Sequence, residues 1–470
     1  MELLDDPLRP LRVAVIGAGP SGFYTVEALL KQAKRTIAID LFDRFPTPYG
    51  LVRYGVAPDH LSIKAVSRVF EKTLADPRVR FYGHVAYGID IHHEELKLWY
   101  DQIVYAVGAE ADRRMGIPGE DTTNSLAAPA FVGWYNGHPE FCELPLDLSC
   151  ERALVVGNGN VAIDVARMLV SAPEDLARTD IADHALERLR TSHIREVILL
   201  GRRGPAQAAF TPAELKELGK LRDVDVVVYP RDLNIDSASA AAVETNREAA
   251  QNLEALYAYA TRAERTASRR IVLRFLASPK EIIADQGKLA AVVIERNTLV
   301  PSAGATLQAH GTGDRETIQA GLVVRAVGYR STPIEQVPFD DARQTLSNTA
   351  GRITHPDTGE PIPGEYAVGW AKRGPTGLIG NNKPDAVATV GAMMADLPAL
   401  QGIADDRRDP DQVEGLLRGR GCALVTYPDW QKLDHYERAQ GELQGRPRVK
   451  VTTIPEMMGI IRRPDLLWCR

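Results

Sequence analysis

Cysteine is scarce in this chain, which holds four in 470 residues. Cys142, Cys150, Cys422 and Cys469 form no CxxC pair and no zinc-like cluster. A disulfide framework, a dithiol active site and a metal centre are therefore not expected. Long apolar runs are lacking too, none reaching the roughly 18 residues that a membrane helix needs. Nor is there a large excess of either charge. Lys+Arg 56 against Asp+Glu 62 leaves a net charge of −6, which provides no overall basic field for nucleic acid. The N-terminal stretch carries Glu2, Asp5 and Asp6, unlike a signal or transit peptide. The expectation is a soluble protein of a reducing compartment, most simply cytoplasmic, without membrane insertion. At roughly 150 residues per domain, the length suggests about three units.

Glycine is the residue in good supply, with 38 copies. The run Leu11 to Ile16 is short, apolar and bounded by glycine, as a buried parallel strand should be. Gly17-Ala18-Gly19-Pro20-Ser21-Gly22 follows, then an apolar-faced helix over Phe23 to Leu30, then a strand over Ile37 to Phe42 ending in Asp43. A GxGxxG alone is a weak signal, but strand, helix and terminal acid together specify a dinucleotide turn. Gly17 allows the tight turn, Gly19 lets a pyrophosphate approach, and Gly22 permits close helix–strand packing. Asp43 can accept hydrogen bonds from a ribose diol. The unit recurs 140 residues later, as a strand over Ala153 to Val156 followed by Gly157-Asn158-Gly159-Asn160-Val161-Ala162. Its next strand, Val197 to Leu200, ends not in an acid but in Gly201, Arg202 and Arg203. Paired guanidiniums bind a 2′-phosphate by charge-assisted forks, so this second turn should prefer NADP(H). FAD in the first site and NADPH in the second would pass hydride from nicotinamide to flavin.

Two similar runs, Gln102 to Gly108 and Leu322 to Gly328, read as strands ending at sharp glycine turns. They bracket the second unit, as crossings into and out of an inserted domain would. Ser239 to Arg265 should be helical, and Ile271 to Ala277 and Ala290 to Glu295 should be strands enlarging the insert. From about Gly402 the chain reads as a C-terminal appendage. The loop from Pro46 to His60 is rigid and delivers Arg53, Asp59 and His60 behind the first turn. His60 has two readings: a proton carrier at a reduced flavin, or a buried histidine capping the next helix. Trp370, before the glycine-rich run to Gly380, is either a ring on the flavin or core. Without a cysteine pair, the disulfide-reductase outlet for electrons is excluded. Phe131 to His138 approaches the flavin-monooxygenase signature but misses its histidine spacing.

The motifs GAGPSGFYT, PTPYGLVRYGVAPDH, YAVGAEADR, IPGED, GNGNVAIDVAR, GRRGPAQAAFTPAELKEL and GWAKRGPTGLIGNNK resemble the ferredoxin–NADP reductases of adrenodoxin-reductase type. They run in that family's order from about residue 11 to 392. The resemblance implies two doubly wound α/β, Rossmann-like domains, the NADP domain inserted into the FAD domain. The expected boundaries are 1–112 and 329–400 for FAD, 113–328 for NADP and 401–470 for an appendage packed on the FAD domain. It implies FAD binding by Ser21, Asp43, Leu51, Val85, Trp370 and Gly377-Leu378-Ile379. NADP(H) would be held by Arg113, Asn158, Gly159, Asn160, Val161, Arg202, Arg203, Glu214 and again Gly377. His60 and Glu217 match positions proposed to handle protons near the flavin. The electron acceptor implied is a small, acidic ferredoxin on a separate chain. Lys216, Lys220 and Arg222, with Arg188, Arg190 and Arg195, are the basic residues expected to steer it. Two rivals remain: the flavin subunit of a larger iron–sulfur complex of the glutamate-synthase small-subunit type, and a nucleotide-holding redox sensor with little turnover.

Overall fold

The computed structural model describes Leu4 and residues 10–32, 35–262, 265–301 and 307–463. The N-terminal acids Glu2, Asp5 and Asp6, and Cys469, lie outside the described residues. Two sheets organise the rest. The first has seven strands, in the order Asn348–Thr349, Arg352–Thr354, Pro361–Ala367, Gln102–Tyr105, Leu11–Ile16, Ile37–Asp43, Val79–Gly83. From Pro361–Ala367 onward every pairing is parallel. The second has six strands, all parallel, in the order Ser125–Ala127, Leu322–Arg325, Arg152–Val156, Glu196–Leu200, Arg269–Arg274, Val224–Val228. Helices cover both sheets, so the strands are buried on both faces and read as unbroken apolar runs. This is the doubly wound α/β class that the glycine motifs imply.

The two repeated runs now have a common explanation. Gln102–Tyr105 lies beside the opening strand Leu11–Ile16 of the first sheet, and Leu322–Arg325 beside the opening strand Arg152–Val156 of the second. After each, the chain turns at a glycine of positive φ, Gly108 at +76° and Gly328 at +111°. It then enters a short antiparallel ribbon in which Ala111–Asp112 pairs with Tyr329–Arg330.

Two expectations gain detail. The stretch from Ser239 to Arg265 is helical as far as Ala260, in two helices, Ser237–Thr245 and Arg247–Ala260. The break comes at Asn246, whose side chain accepts from the Glu248 and Ala249 amides and so caps the second helix. Ile271 to Ala277 and Ala290 to Glu295 hold strands as expected, and these lie in different sheets. The first belongs mostly to the parallel strand Arg269–Arg274. The second is part of a 14-residue strand, Lys288–Pro301, in a separate three-stranded antiparallel sheet.

The C-terminal region is more than an appendage. Trp430, Leu433 and Met457 pack into the core of the first sheet. From the same region, charged side chains reach the seam between the sheets. Glu437, with no exposed surface, accepts from Arg53 at 2.8 Å, from Arg448 at 3.0 Å and from the Val451 amide at 2.9 Å. Lys450 and Lys64 both reach Asp180, at 3.2 and 2.6 Å, and both also reach Asn136 Oδ1 at 3.2 Å. Arg446 donates to Asp183 at 2.7 Å. Arg53 and Lys64 come from the first unit, Asn136, Asp180 and Asp183 from the second, and the rest from the C-terminal region. Charged contacts, most of them buried, therefore join the C-terminal region to both units.

Burial alone would raise the Glu437 carboxyl, but the Arg53 and Arg448 guanidiniums outweigh it and hold it below 4.5. Its stabilisation is complete above that ordinary value and is lost as pH falls through the lower folded one. Glu437→Ala is expected to cost about 3–5 kcal/mol at neutral pH, because it strands buried cations. Urea unfolding would measure this, and the variant should also lose the part of the acid-side stability decline that Glu437 supplies.

Candidate functional site

The first glycine turn is tight for steric reasons visible at each glycine. Gly17 has φ +110°, and a Cβ there would lie 2.5 Å from the Ala106 carbonyl oxygen. A Cβ on Gly22 would lie 2.1 Å from the Gly17 oxygen, whereas Gly19 has nothing within 4 Å on that side. The first two pack protein on protein, and Gly19 leaves its face free for a ligand. The helix Pro20–Leu30 starts here with its amides directed at the turn. Asp43 closes the motif: it accepts from the Ala18 and Phe45 amides, each at 2.9 Å. Burial pushes its carboxyl up to about 6 against those two hydrogen bonds.

These residues line a cavity of about 480 Å³, within the range of small-molecule sites. Of the residues singled out in the sequence, Gly17, Gly19, Ser21, Asp43, Leu51, Val85, Trp370 and Ile379 line it. Gly22 lies beneath it as packing. Gly377 (φ +81°) and Leu378 sit outside the lining, and Leu378 is 58% exposed. The Ser21 hydroxyl donates to Asn382 at 3.1 Å. Trp370 stacks obliquely with Tyr329, ring centroids 5.4 Å apart, and its indole donates to the Thr376 carbonyl.

Sequence reasoning missed one wall. Arg44 lies over the Phe45 ring at 4.4 Å and pairs with Glu110 and Glu140 at 2.9 and 2.6 Å. His138 stands against Phe45 and Tyr54, and burial pushes its imidazole down to about 4. It therefore presents a neutral ring at neutral pH. The Phe131 to His138 run, an imperfect monooxygenase signature, forms a helix and turn lining this cavity. Arg53 takes no part in it, being buried in the seam.

The second turn repeats the geometry of the first. Gly157 has φ +144°, and a Cβ there would lie 2.3 Å from the Ala326 oxygen. Asn160 Oδ1 accepts from the Thr211 amide at 2.8 Å, tying this turn to the following helix Pro212–Leu218. Asn158 has a buried amide nitrogen without a partner. Val161 packs at the core margin. Arg202 and Arg203 have no ion pair among the described residues. Burial, then the Arg202 charge, lowers the Arg203 pKa. Two adjacent guanidiniums with an orphaned amide beside the turn suit a phosphorylated ligand. Arg113 lies at the ribbon, donating to the Tyr329 carbonyl at 3.2 Å. None of this set lines the first cavity.

A third cluster gathers around His60. His60, buried at the start of a one-turn helix, does not cap it with its side chain. Its Nε2 is 2.9 Å from Glu217 Oε2, 3.7 Å from Glu214 Oε2 and 2.8 Å from Arg167 Nη2. Arg167 also pairs with Asp59 and with Asp164, the latter at 2.7 Å. Glu214 thus faces His60, in company with Glu217. The three donor atoms of His60, Glu214 and Glu217 lie within 4.8 Å of one another. A guanidinium at 2.8 Å from the imidazole puts a fixed positive charge where a cation would bind, so the set suits protons better than a metal. Arg167 ends the motif GNGNVAIDVAR, and an arginine amid the otherwise apolar Val165 to Val170 was the signal available.

Comparison with known proteins places this geometry. Residues 11–203 match the model for pyridine nucleotide-disulphide oxidoreductases. The NADPH-ferredoxin reductase FprA of Mycobacterium tuberculosis is 49% identical over 462 residues, covering 96% of this chain and 99% of that protein. The structure of M. tuberculosis FprA in complex with NADPH superposes with a TM-score of 0.91 at 48% identity, covering 96% of this chain and all of that one. The mitochondrial NADPH:adrenodoxin oxidoreductase of Salvelinus fontinalis is 37% identical over 97% of this chain and 92% of its own. The chain belongs to the NADPH–ferredoxin reductases of adrenodoxin-reductase type.

The three described cysteines, Cys142, Cys150 and Cys422, are free, and none lines the first cavity. No helix among the described residues is long and apolar enough to cross a membrane.

Asp43 yields a pH-dependent prediction. Below about 6 its carboxyl carries a proton, and above it the group accepts only, as a ribose diol requires. FAD rebinding to cofactor-free protein should tighten by about 10-fold from acid to neutral pH, the difference between a neutral and a charge-assisted hydrogen bond. Flavin fluorescence quenching would report it, and Asp43→Asn should flatten the dependence.

Proposed function

We propose that this chain transfers hydride from NADPH to FAD and then single electrons to a small acidic ferredoxin on a separate chain. The observation that carries this reading is the contrast between the two turns. One ends in a half-buried acid suited to a ribose diol, the other in two guanidiniums without carboxylate partners among the described residues. FAD would lie along the first cavity, held by the Gly17–Gly22 turn, Asp43, Leu51, Val85, Trp370 and the Gly377–Ile379 segment. NADPH would lie on the second turn, held by Asn158, Gly159, Asn160, Val161, Arg113, Arg202, Arg203 and Glu214. The bound flavin supplies the step between a two-electron donor and one-electron acceptors. The protein's own residues orient the cofactors, exclude water, and hold a proton at His60 and Glu217.

The corresponding domains are 1–112 with 329–400 for FAD and 113–328 for NADP, with 401–470 packed on the former. The low cysteine content supports a reducing, cytoplasmic setting. Of the basic residues expected to steer an acceptor, Lys216 and Lys220 are exposed on and just after the helix that carries Glu217. Leu61 and Ile63, 42% and 41% exposed, directly follow His60. An apolar spot with basic neighbours close to the reaction centre favours docking there. Arg222 is less available, being paired with Glu174 and Asp175. Arg190 pairs with Glu187. Arg195 lines a different cavity, with Arg152 and Arg270.

The purified protein should be yellow, and NADPH should bleach it rapidly under anaerobic conditions while NADH does so slowly. A colourless protein that FAD cannot reconstitute would overturn the reading. Arg202→Gln with Arg203→Gln should cut the NADPH preference in kcat/KM by about 100-fold, from two charge-assisted bonds of about 1.5 kcal/mol each, and leave NADH turnover intact. Lys216→Glu with Lys220→Glu should slow ferredoxin reduction by about 10-fold at low salt and spare a small dye. Equal loss in both assays would refute docking at this face.

A further inference from the structure

The second sheet has a cavity of about 450 Å³ at the end opposite its glycine turn. Its lining includes the first residues of three adjacent strands, Arg152–Val156, Glu196–Leu200 and Arg269–Arg274. The antiparallel sheet closes one side with Leu289, Ala290 and Gln319. The strands are five or six residues long, which puts this cavity roughly 16 Å from the second glycine turn. Ligands of open α/β sheets sit outside the carboxyl ends of the strands, so a nucleotide on that turn leaves this cavity unexplained.

A row of side chains in register sets its chemistry. Arg152 stands opposite Glu196 on one side, and Arg270 stands opposite it on the other. Alternation along the strands places all three on one face. Glu196 is buried and accepts from the Nε of both guanidiniums, so two cations share one carboxylate. Arg152 is pinned further by the Gln319 carbonyl at 3.0 Å. Arg195 and Arg269 each precede a member of this row and also line the cavity. Neither has an ion pair among the described residues. They donate instead to the Ile194 and Val170 carbonyls, at 3.3 and 2.9 Å. Glu151, which is exposed, is the other carboxylate of the lining. Four guanidiniums therefore face two carboxylates. Asp223 and Asp225 lie outside the lining and accept from the Ser268 and Ala267 amides at 2.9 and 3.0 Å. The backbone carbonyls of Glu151, Arg152, Arg195 and Ala290 are already engaged by backbone amides. The polar groups left to meet a ligand are mainly guanidinium N–H donors.

We propose that this cavity binds a small multivalent phosphate, a diphosphate or a phosphate monoester. Guanidiniums reaching one space from several strands match an anion whose oxygens point in several directions, whereas a carboxylate offers one planar edge. Arg152 and Arg269 are held in place beforehand, which lowers the ordering cost of binding. The site uses no part of the proposed nucleotide assignment, and its distance from the second turn lets both be filled together.

Calorimetry of FAD-loaded protein carrying one equivalent of NADP⁺ tests it, with inorganic pyrophosphate as the probe. Pyrophosphate should bind with a Kd below about 1 mM, as two or three charge-assisted hydrogen bonds would give. Acetate at equal ionic strength should not bind. Arg195→Ala with Arg269→Ala, which breaks no ion pair among the described residues, should weaken binding by about 10-fold or more. Cys150 lies in the cavity wall and reports the location even if that variant fails to fold. At about ten times its Kd, pyrophosphate should slow alkylation of Cys150 by N-ethylmaleimide about 10-fold, with Cys142 and Cys422 unaffected. Mass spectrometry would read all three. Absence of binding, displacement of pyrophosphate by the equivalent of NADP⁺, or binding that leaves Cys150 unprotected would overturn the proposal. Failure of NADP⁺ itself to bind would count against the proposed function instead, and Cys150 protection would still decide this site.

Discussion

The architecture turns on a steric requirement met twice: a glycine passing under the first carbonyl beyond the end of the neighbouring strand. Gly17 lies beneath Ala106, and Gly157 beneath Ala326, each too close for a Cβ. This contact lets the strand–turn–helix bend sharply enough for the helix amides to face outward at the turn. It also explains why the alanines belong to the two repeated runs ending at Gly108 and Gly328. Each run borders an opening strand and supplies the ceiling for that strand's glycine. The duplicated turn and the duplicated crossing are therefore one structural unit, used once for each nucleotide.

Much of the fold was legible for this reason. Buried parallel strands leave unbroken apolar runs, and glycines mark their ends, so β-turn-α units stand out. Elements outside that pattern were harder to read. Asn246 ends one helix and caps the next, but composition around it is uniformly helical. The strand Lys288–Pro301 is half exposed, so only its apolar middle was recognisable.

The sites divide in the same way. Residues fixed by backbone geometry, such as Gly17, Asp43 and Gly157, could be read from spacing. Residues acting through long-range charge could not. Arg53 was read as delivered behind the first turn, and Glu437, 384 positions away, drew no notice in the sequence, yet they meet each other in the seam. Arg167 and His60 are 107 positions apart, and they meet only where two helices and a loop converge. Burial of a charge is decided by its partners, and partners distant in sequence leave no periodic trace.

The seam has a consequence for how the chain is made. The strands of both sheets are complete once Ala367 has been synthesised, 70 residues before Glu437. Domains fold in order of emergence from the ribosome, so the second nucleotide unit can form while Asp180 still lacks its C-terminal partner, whereas the first also awaits Trp430, Leu433 and Met457 for its core. Arg53, Lys64 and Asp180 stay hydrated until Glu437, Arg448 and Lys450 leave the exit tunnel. Attachment of the C-terminal region to both units is thus among the last events of biosynthesis, and a ribosome that stalls late releases a chain whose first unit lacks part of its core and whose seam lacks its fastening.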